Sequence, residues 1–141
     1  MAKHRYHLDI VIFRGSPLDF QKYRHTSLYL KDEVGSACLY HAKGTNGALT
    51  FEARKEYALT QSRNLARRIS VGYLAFRLDE FELGDIMSGV PIDNSNREFN
   101  CQHWVAEALR QLTDKKLITP EVAERGLDAM IDATFEAEDE P

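Results

Sequence analysis

The chain has 141 residues, enough for one domain with its own core. Hydrophobic residues make up 43% and charged residues 28%, and the formal net charge of −4 argues against a general nucleic-acid binder. No apolar run reaches the roughly 18 residues of a membrane-spanning helix, and Met1-Ala2-Lys3-His4-Arg5 leads into no signal-peptide core.

The expectation is therefore a cytoplasmic or nuclear protein rather than a secreted one, with Cys38 and Cys101 as reduced thiols. Residues 136–141 hold four acids and read as a solvated, flexible tail on a single domain spanning 1–135. Without that tail the remainder is formally neutral, so charge identifies no partner.

Residues 6–13 are rich in β-branched and aromatic side chains and read as a first strand, ended by the turn at Arg14-Gly15-Ser16-Pro17. A second strand over 24–30 and a third over 36–42 flank a hairpin loop at 31–35. After a turn at 43–47, residues 48–57 alternate Leu49, Phe51 and Ala53 with Thr50, Glu52 and Arg54, a fourth strand. Residues 59–68 carry Arg63, Arg67 and Arg68 and read as an irregular crossing with a solvated basic face. Strand character resumes at 69–78. Asp79 can cap a short helix to about Ser88, which Gly89-Val90-Pro91 breaks.

Trp104, Val105, Ala108, Leu109 and Leu112 recur at helical spacing and predict a helix from about Asn100 to Gln111. Thr119-Pro120-Glu121 opens a last helix, with Val122, Leu127, Met130, Ile131 and Phe135 as its apolar side. Strands come first and helices follow, which is the α+β class. The expected architecture is an antiparallel sheet of about five strands, packed against the helix that starts at Cys101, plus a C-terminal helix.

Chemistry centres on Phe99-Asn100-Cys101-Gln102-His103-Trp104-Val105. With Asn100 as N-cap, Cys101 falls in the first turn, where unpaired N–H groups and the helix dipole favour thiolate over thiol. Such a thiol can attack carbonyl carbon, and the same N–H groups can hold an oxyanion. The alternative is a buried thiol on the helix face shared with Val105, Ala108 and Leu112, acting only as a small hydrophobe.

A thiol nucleophile needs a base. His103 lies two residues on, about 200° around the helix, and so points away with a surface or packing role. His4 and His7 sit at or before the first strand. That leaves His25 and His41. A hairpin centred on Glu33 would set them directly across from each other, so that one takes the thiol proton and the other fixes its tautomer. Both could equally be ordinary strand histidines.

Arg24-His25-Thr26-Ser27-Leu28-Tyr29-Leu30, then His41, then Asn100-Cys101-Gln102-His103-Trp104-Val105 resembles the permuted papain-like thiol hydrolases. The His, His, Cys order and the run around the Cys are similar to the lecithin:retinol acyltransferase family. The His-Thr-Ser-(aliphatic) strand is closer to the PPPDE peptidases. Both are relatives of NlpC-type peptidases. Thr26 stands where the acyltransferase family has Trp.

The resemblance, which spans about residues 6 to 112, implies a papain-like fold with Cys101 as nucleophile, His25 as base and His41 as the orienting residue. It implies acyl transfer through a thioester, without cofactor or metal, on a peptide, protein or small acyl partner, and the PPPDE-like strand with no membrane segment favours a soluble peptide or isopeptide substrate. Zinc on His25, His41 and Cys101 is disfavoured, because no close ligand pair such as Cys-x-x-Cys is present. A catalytically idle papain-like binding module, and an enzyme acting on a small molecule or lipid, remain the alternatives.

Overall fold

The computed structural model describes residues 2–16, 18–21 and 24–137. It is an α+β structure, with a five-stranded antiparallel sheet and three α-helices. The strands are β1 (Tyr6–Phe13), β2 (His25–Asp32), β3 (Ala37–Lys43), β4 (Thr50–Lys55) and β5 (Leu65–Tyr73), in spatial order β4-β3-β2-β1-β5. The helices are α1 (Glu80–Ser88), α2 (Cys101–Asp114) and α3 (Pro120–Phe135).

Strand alternation builds two cores. Leu8, Ile10 and Ile12 of β1, Leu28 and Leu30 of β2, and Tyr40 and Ala42 of β3 face the helices and pack with Trp104, Val105, Ala108, Leu109 and Leu112 of α2. On the opposite face Val11, Tyr29 and Leu39 gather a smaller cluster under Leu59, which belongs to a short 3-10 turn (Leu59–Gln61). β1 is buried on both faces, which is why Ile10-Val11-Ile12 is an unbroken apolar run.

Five expectations are corrected. β5 begins at Leu65, not at 69, so Arg67 and Arg68 lie on a strand rather than in an irregular crossing. An edge strand tolerates such charge, and each cation has an anion: Arg68 Nε lies 2.6 Å from buried Asp9, and Arg67 bonds Glu136 at 2.6 and 2.8 Å. β4 is shorter than 48–57, and Ala53 is exposed. On α3 the buried side is built of Ala123, Gly126, Met130, Ala133 and Thr134, while Ile131 and Phe135 face outward. Small residues are used there because α3 approaches the sheet closely; a Cβ at Gly126 would lie 3.3 Å from Ile10 Cδ1.

The fourth correction concerns the tail. Ala137 is buried and its carbonyl accepts from Gln21 Nε2 at 3.0 Å, so 136 and 137 are docked on the domain. The rest of the proposed tail, 138–141, lies outside the described residues.

The fifth concerns the β2–β3 hairpin, which is centred on Val34 rather than Glu33: Leu30 pairs with Cys38 and Lys31 with Ala37. Asp32 Oδ1 accepts the N–H groups of Val34 and Ser36 at 3.0 and 2.9 Å, and Gly35 takes φ +97°. A three-residue loop with Gly in the left-handed position results. Among the described residues no helix is long and apolar enough to cross a membrane.

Candidate active site

The start of α2 is capped from both directions. Asn100 Oδ1 accepts from the N–H groups of Gln102 (2.9 Å) and His103 (3.2 Å), and His103 Nδ1 accepts from Asn100 N–H at 3.1 Å. His103 thus faces away from the thiol and closes the cap, with its ring stacked on Phe99. Trp104 N–H donates to the Asn100 carbonyl, which leaves Cys101 N–H as the first-turn donor with no partner among the described residues.

The thiol lies beside the start of β2. Cys101 Sγ accepts from Thr26 N–H at 3.5 Å and, as a thiol, can donate to the Arg24 carbonyl at 3.9 Å. Burial pushes this thiol up, but its hydrogen bond and charge interaction with the His25 ring, together with the Thr26 N–H, outweigh burial and hold it below its ordinary value. Cys38 is the contrast. Burial pushes its thiol up, and it lines a separate hollow that contains none of the candidate residues.

His25 Nε2 lies 2.6 Å from His41 Nδ1, with ring centroids 4.8 Å apart. Nδ1 is therefore the His25 nitrogen left for the sulfur. Phe13, paired with His25 across β1 and β2, stacks against its ring. His41 is buried, which pushes its imidazole below its ordinary value despite the hydrogen bond that Glu52 adds. The three residues singled out from the sequence thus meet in one place.

Glu52 is the member that sequence reasoning missed. β3 and β4 pair His41 directly with Glu52, and His41 Nε2 lies 2.8 Å from Glu52 Oε1. Lys43 Nζ holds the other carboxylate oxygen at 2.9 Å. These two hydrogen bonds, the His41 one first, lower the Glu52 carboxyl to about 2. A signal was present: a turn centred between Asn46 and Gly47 puts residue 52 opposite residue 41.

Arg24, one residue before His25, braces this end of the sheet. Its guanidinium forks onto Asp19 with two 2.9 Å bonds and donates to the Ala133 carbonyl of α3 at 2.7 Å. Beside Cys101 opens a cavity of ≈ 310 Å³, lined by His25, Gly44, Asn46, Leu49 and Gln102 among others. Asn94 fixes one wall by bonding both the N–H and the carbonyl of Leu49, at 2.9 and 3.0 Å. Among the described residues no group of His, Cys, Asp or Glu is arranged to hold a metal ion.

Residues 15–119, more than half of the chain, match a family described as a family of unknown function, DUF6540. The protein is a member of DUF6540. The matched region takes in His25, His41, Glu52 and Cys101 and ends just before α3. No curated protein and no solved structure matches the chain.

Proposed function

We propose that this DUF6540 protein is a cysteine hydrolase or acyltransferase of permuted papain-like type, working through a thioester on Cys101. The observation that carries the reading is that Cys101 and His25 line one cavity, with His25 Nε2 2.6 Å from His41 Nδ1. Nucleophile, base and orienter stand in the order that covalent acyl transfer needs.

The reaction runs in two halves. His25 Nδ1 holds the thiol proton while the thiolate adds to a carbonyl carbon. The oxyanion is met by the Cys101 N–H, which has no partner among the described residues. As the intermediate collapses, His25 passes its proton to the leaving amine and the acyl group stays on sulfur. Water, deprotonated by His25, then attacks the thioester, releasing the acid and restoring the thiol.

The cavity supports a peptide or isopeptide amide as substrate. Its lining includes Asn46 and Gln102, together with Asn100, whose Oδ1 is taken up by the helix cap, and the aliphatic residues Ala42 and Leu49. Arg24, the cation among its lining residues, is committed to Asp19 and Ala133. Such walls suit neutral hydrogen-bonding groups better than a long acyl chain. A reducing compartment fits this reading, with both thiols free.

The test is iodoacetamide alkylation against pH, mapped to each cysteine, in the parent and in His25→Ala. The expected result is rapid labelling of Cys101 below pH 7 that is lost or moved to higher pH in the variant. Labelling of Cys101 no faster than Cys38 in the parent would leave a binding module with an idle thiol as the better reading.

A further inference from the structure

Resting on the thiol-hydrolase reading, we propose that Glu52 and Lys43 are a tuning pair for the reaction at Cys101. Glu52 is a positioning residue that fixes the His41 tautomer and supports the positive charge His25 acquires. Lys43 limits how far it does so.

The first half of the argument is hydrogen-bond direction. An ionised carboxylate only accepts, so at 2.8 Å from Glu52 the proton of His41 sits on Nε2. His41 Nδ1 is then a bare lone pair, and at 2.6 Å it requires a proton on His25 Nε2. His25 Nδ1 is left free to take the thiol proton. The opposite tautomer of His41 would aim a lone pair at the carboxylate. A residue on β4, two rings from the sulfur, thereby sets which nitrogen of His25 acts as base.

The second half is charge. When the thiol proton moves to His25, a cation forms on the histidine pair and an anion on Cys101. The charges acting on His41 are Glu52 from β4, His25 from β2 and Arg54 from β4, and of these only Glu52 favours the cation. Lys43 lies two residues beyond His41 on β3, on the same face, and reaches the same carboxylate at 2.9 Å. Its ammonium opposes the support that Glu52 gives. Because the Lys43 side chain is 51% exposed, its effect is the smaller and is screened by salt.

Opposite signs follow. Losing the Glu52 charge destabilises the thiolate–imidazolium pair, so the thiolate forms at higher pH and the imidazolium is lost at lower pH. The reactive window narrows. Losing the Lys43 charge widens it at both ends. A bond that merely braced the β3–β4 hairpin would give no such antisymmetry.

The experiment is the pH profile of iodoacetamide labelling at Cys101 in the full chain, with Cys38 as internal reference, for parent, Glu52→Gln, Glu52→Asp and Lys43→Met. Glu52→Gln is expected to slow labelling at pH 6 by about tenfold or more, with Glu52→Asp recovering part of it. Lys43→Met, a change at an exposed side chain, is expected to shift both limbs the other way by less, and the shift should shrink in high salt. If the parent labels rapidly but the limbs of both variants coincide with it or move the same way, the tuning pair is discarded and the hydrolase reading stands. Should Glu52→Gln not fold, the direction of the Lys43→Met shift decides alone. A parent without fast Cys101 labelling overturns both.

Discussion

His25 and His41 meet as diagonal neighbours of the β2–β3 pair, with ring centroids 4.8 Å apart. The β2–β3 ladder ends at Leu28 and Tyr40, and its register, continued by one residue, sets Ser27 rather than His25 across from His41. The contact survives because the displacement from the expected register is two residues, an even number that keeps both rings on one face of the sheet. Diagonal positions lie about 7–8 Å apart at the backbone, within reach of two imidazoles. The same face carries Phe13, Glu52 and Lys43, so the supports of the histidine pair come from strands on both sides of it.

Removing the second ring while keeping a polar side chain tests what it contributes. His41→Gln is expected to retain the fold and to lower Cys101 alkylation at pH 6 about 10- to 100-fold. Cys101→Ala removes the reaction altogether. Parallel labelling and circular dichroism distinguish loss of reactivity from loss of structure. A variant as reactive as the parent would show His41 to be a bystander.

Stability should carry a mark of His41 as well. Burial holds its pKa below the ordinary value of 6.5 in the folded chain. The unfolded chain therefore binds more protons between that lowered pKa and 6.5, so stability increases with pH through this window and falls as pH drops below 6.5. Glu52, lowered to about 2 from 4.5, adds a further loss only in acid, between those values. Thermal midpoints measured between pH 7.5 and 5.5 should fall in the parent and fall less in His41→Gln. Equal slopes would remove His41 as the source.

Most of the fold was legible because its signals are local. The Asp79, Asn100 and Thr119 caps each open the helix that the sequence assigns to them. Misreadings arose where distant partners decide. Arg67 and Arg68 look like loop residues until Glu136 and Asp9 are placed against them. Ile131 and Phe135 follow helical spacing, but the close approach of α3 at Gly126 turns them outward. In the site, Cys101, His25 and His41 carry recognisable chemistry, whereas Glu52 resembles any solvent-facing strand residue until the β3–β4 register sets it opposite His41.

That register depends on the turn after β3. Gly44 has φ +110°, and a Cβ added there would lie 3.0 Å from the Ala48 carbonyl oxygen, a backbone atom that cannot swing aside. Gly44→Ala is expected to destabilise the protein by about 1–3 kcal/mol. Because the turn also lines the cavity and aligns Glu52 with His41, Cys101 labelling should slow in the molecules that remain folded. Chemical denaturation gives the first quantity and labelling below the transition gives the second. An unaltered midpoint would show that the loop relaxes without strain.

Asn100 permits a separation of capping from chemistry. Its side chain satisfies the Gln102 and His103 N–H groups, so Asn100→Ala should cost about 1 kcal/mol of stability. Asn100→Asp keeps the cap, since aspartate accepts the same two bonds and its charge suits the helix N-terminus. Yet that new carboxylate stands one residue from Cys101 and draws on the same positive helix end that favours the thiolate. The thiolate then forms at higher pH. Asn100→Asp should therefore be as stable as the parent or more so, while its Cys101 labelling at pH 6 is slower. Equilibrium denaturation and labelling on one sample decide the matter. If stability and reactivity rise together, the helix terminus contributes little to the thiolate and the His25 ring carries its stabilisation.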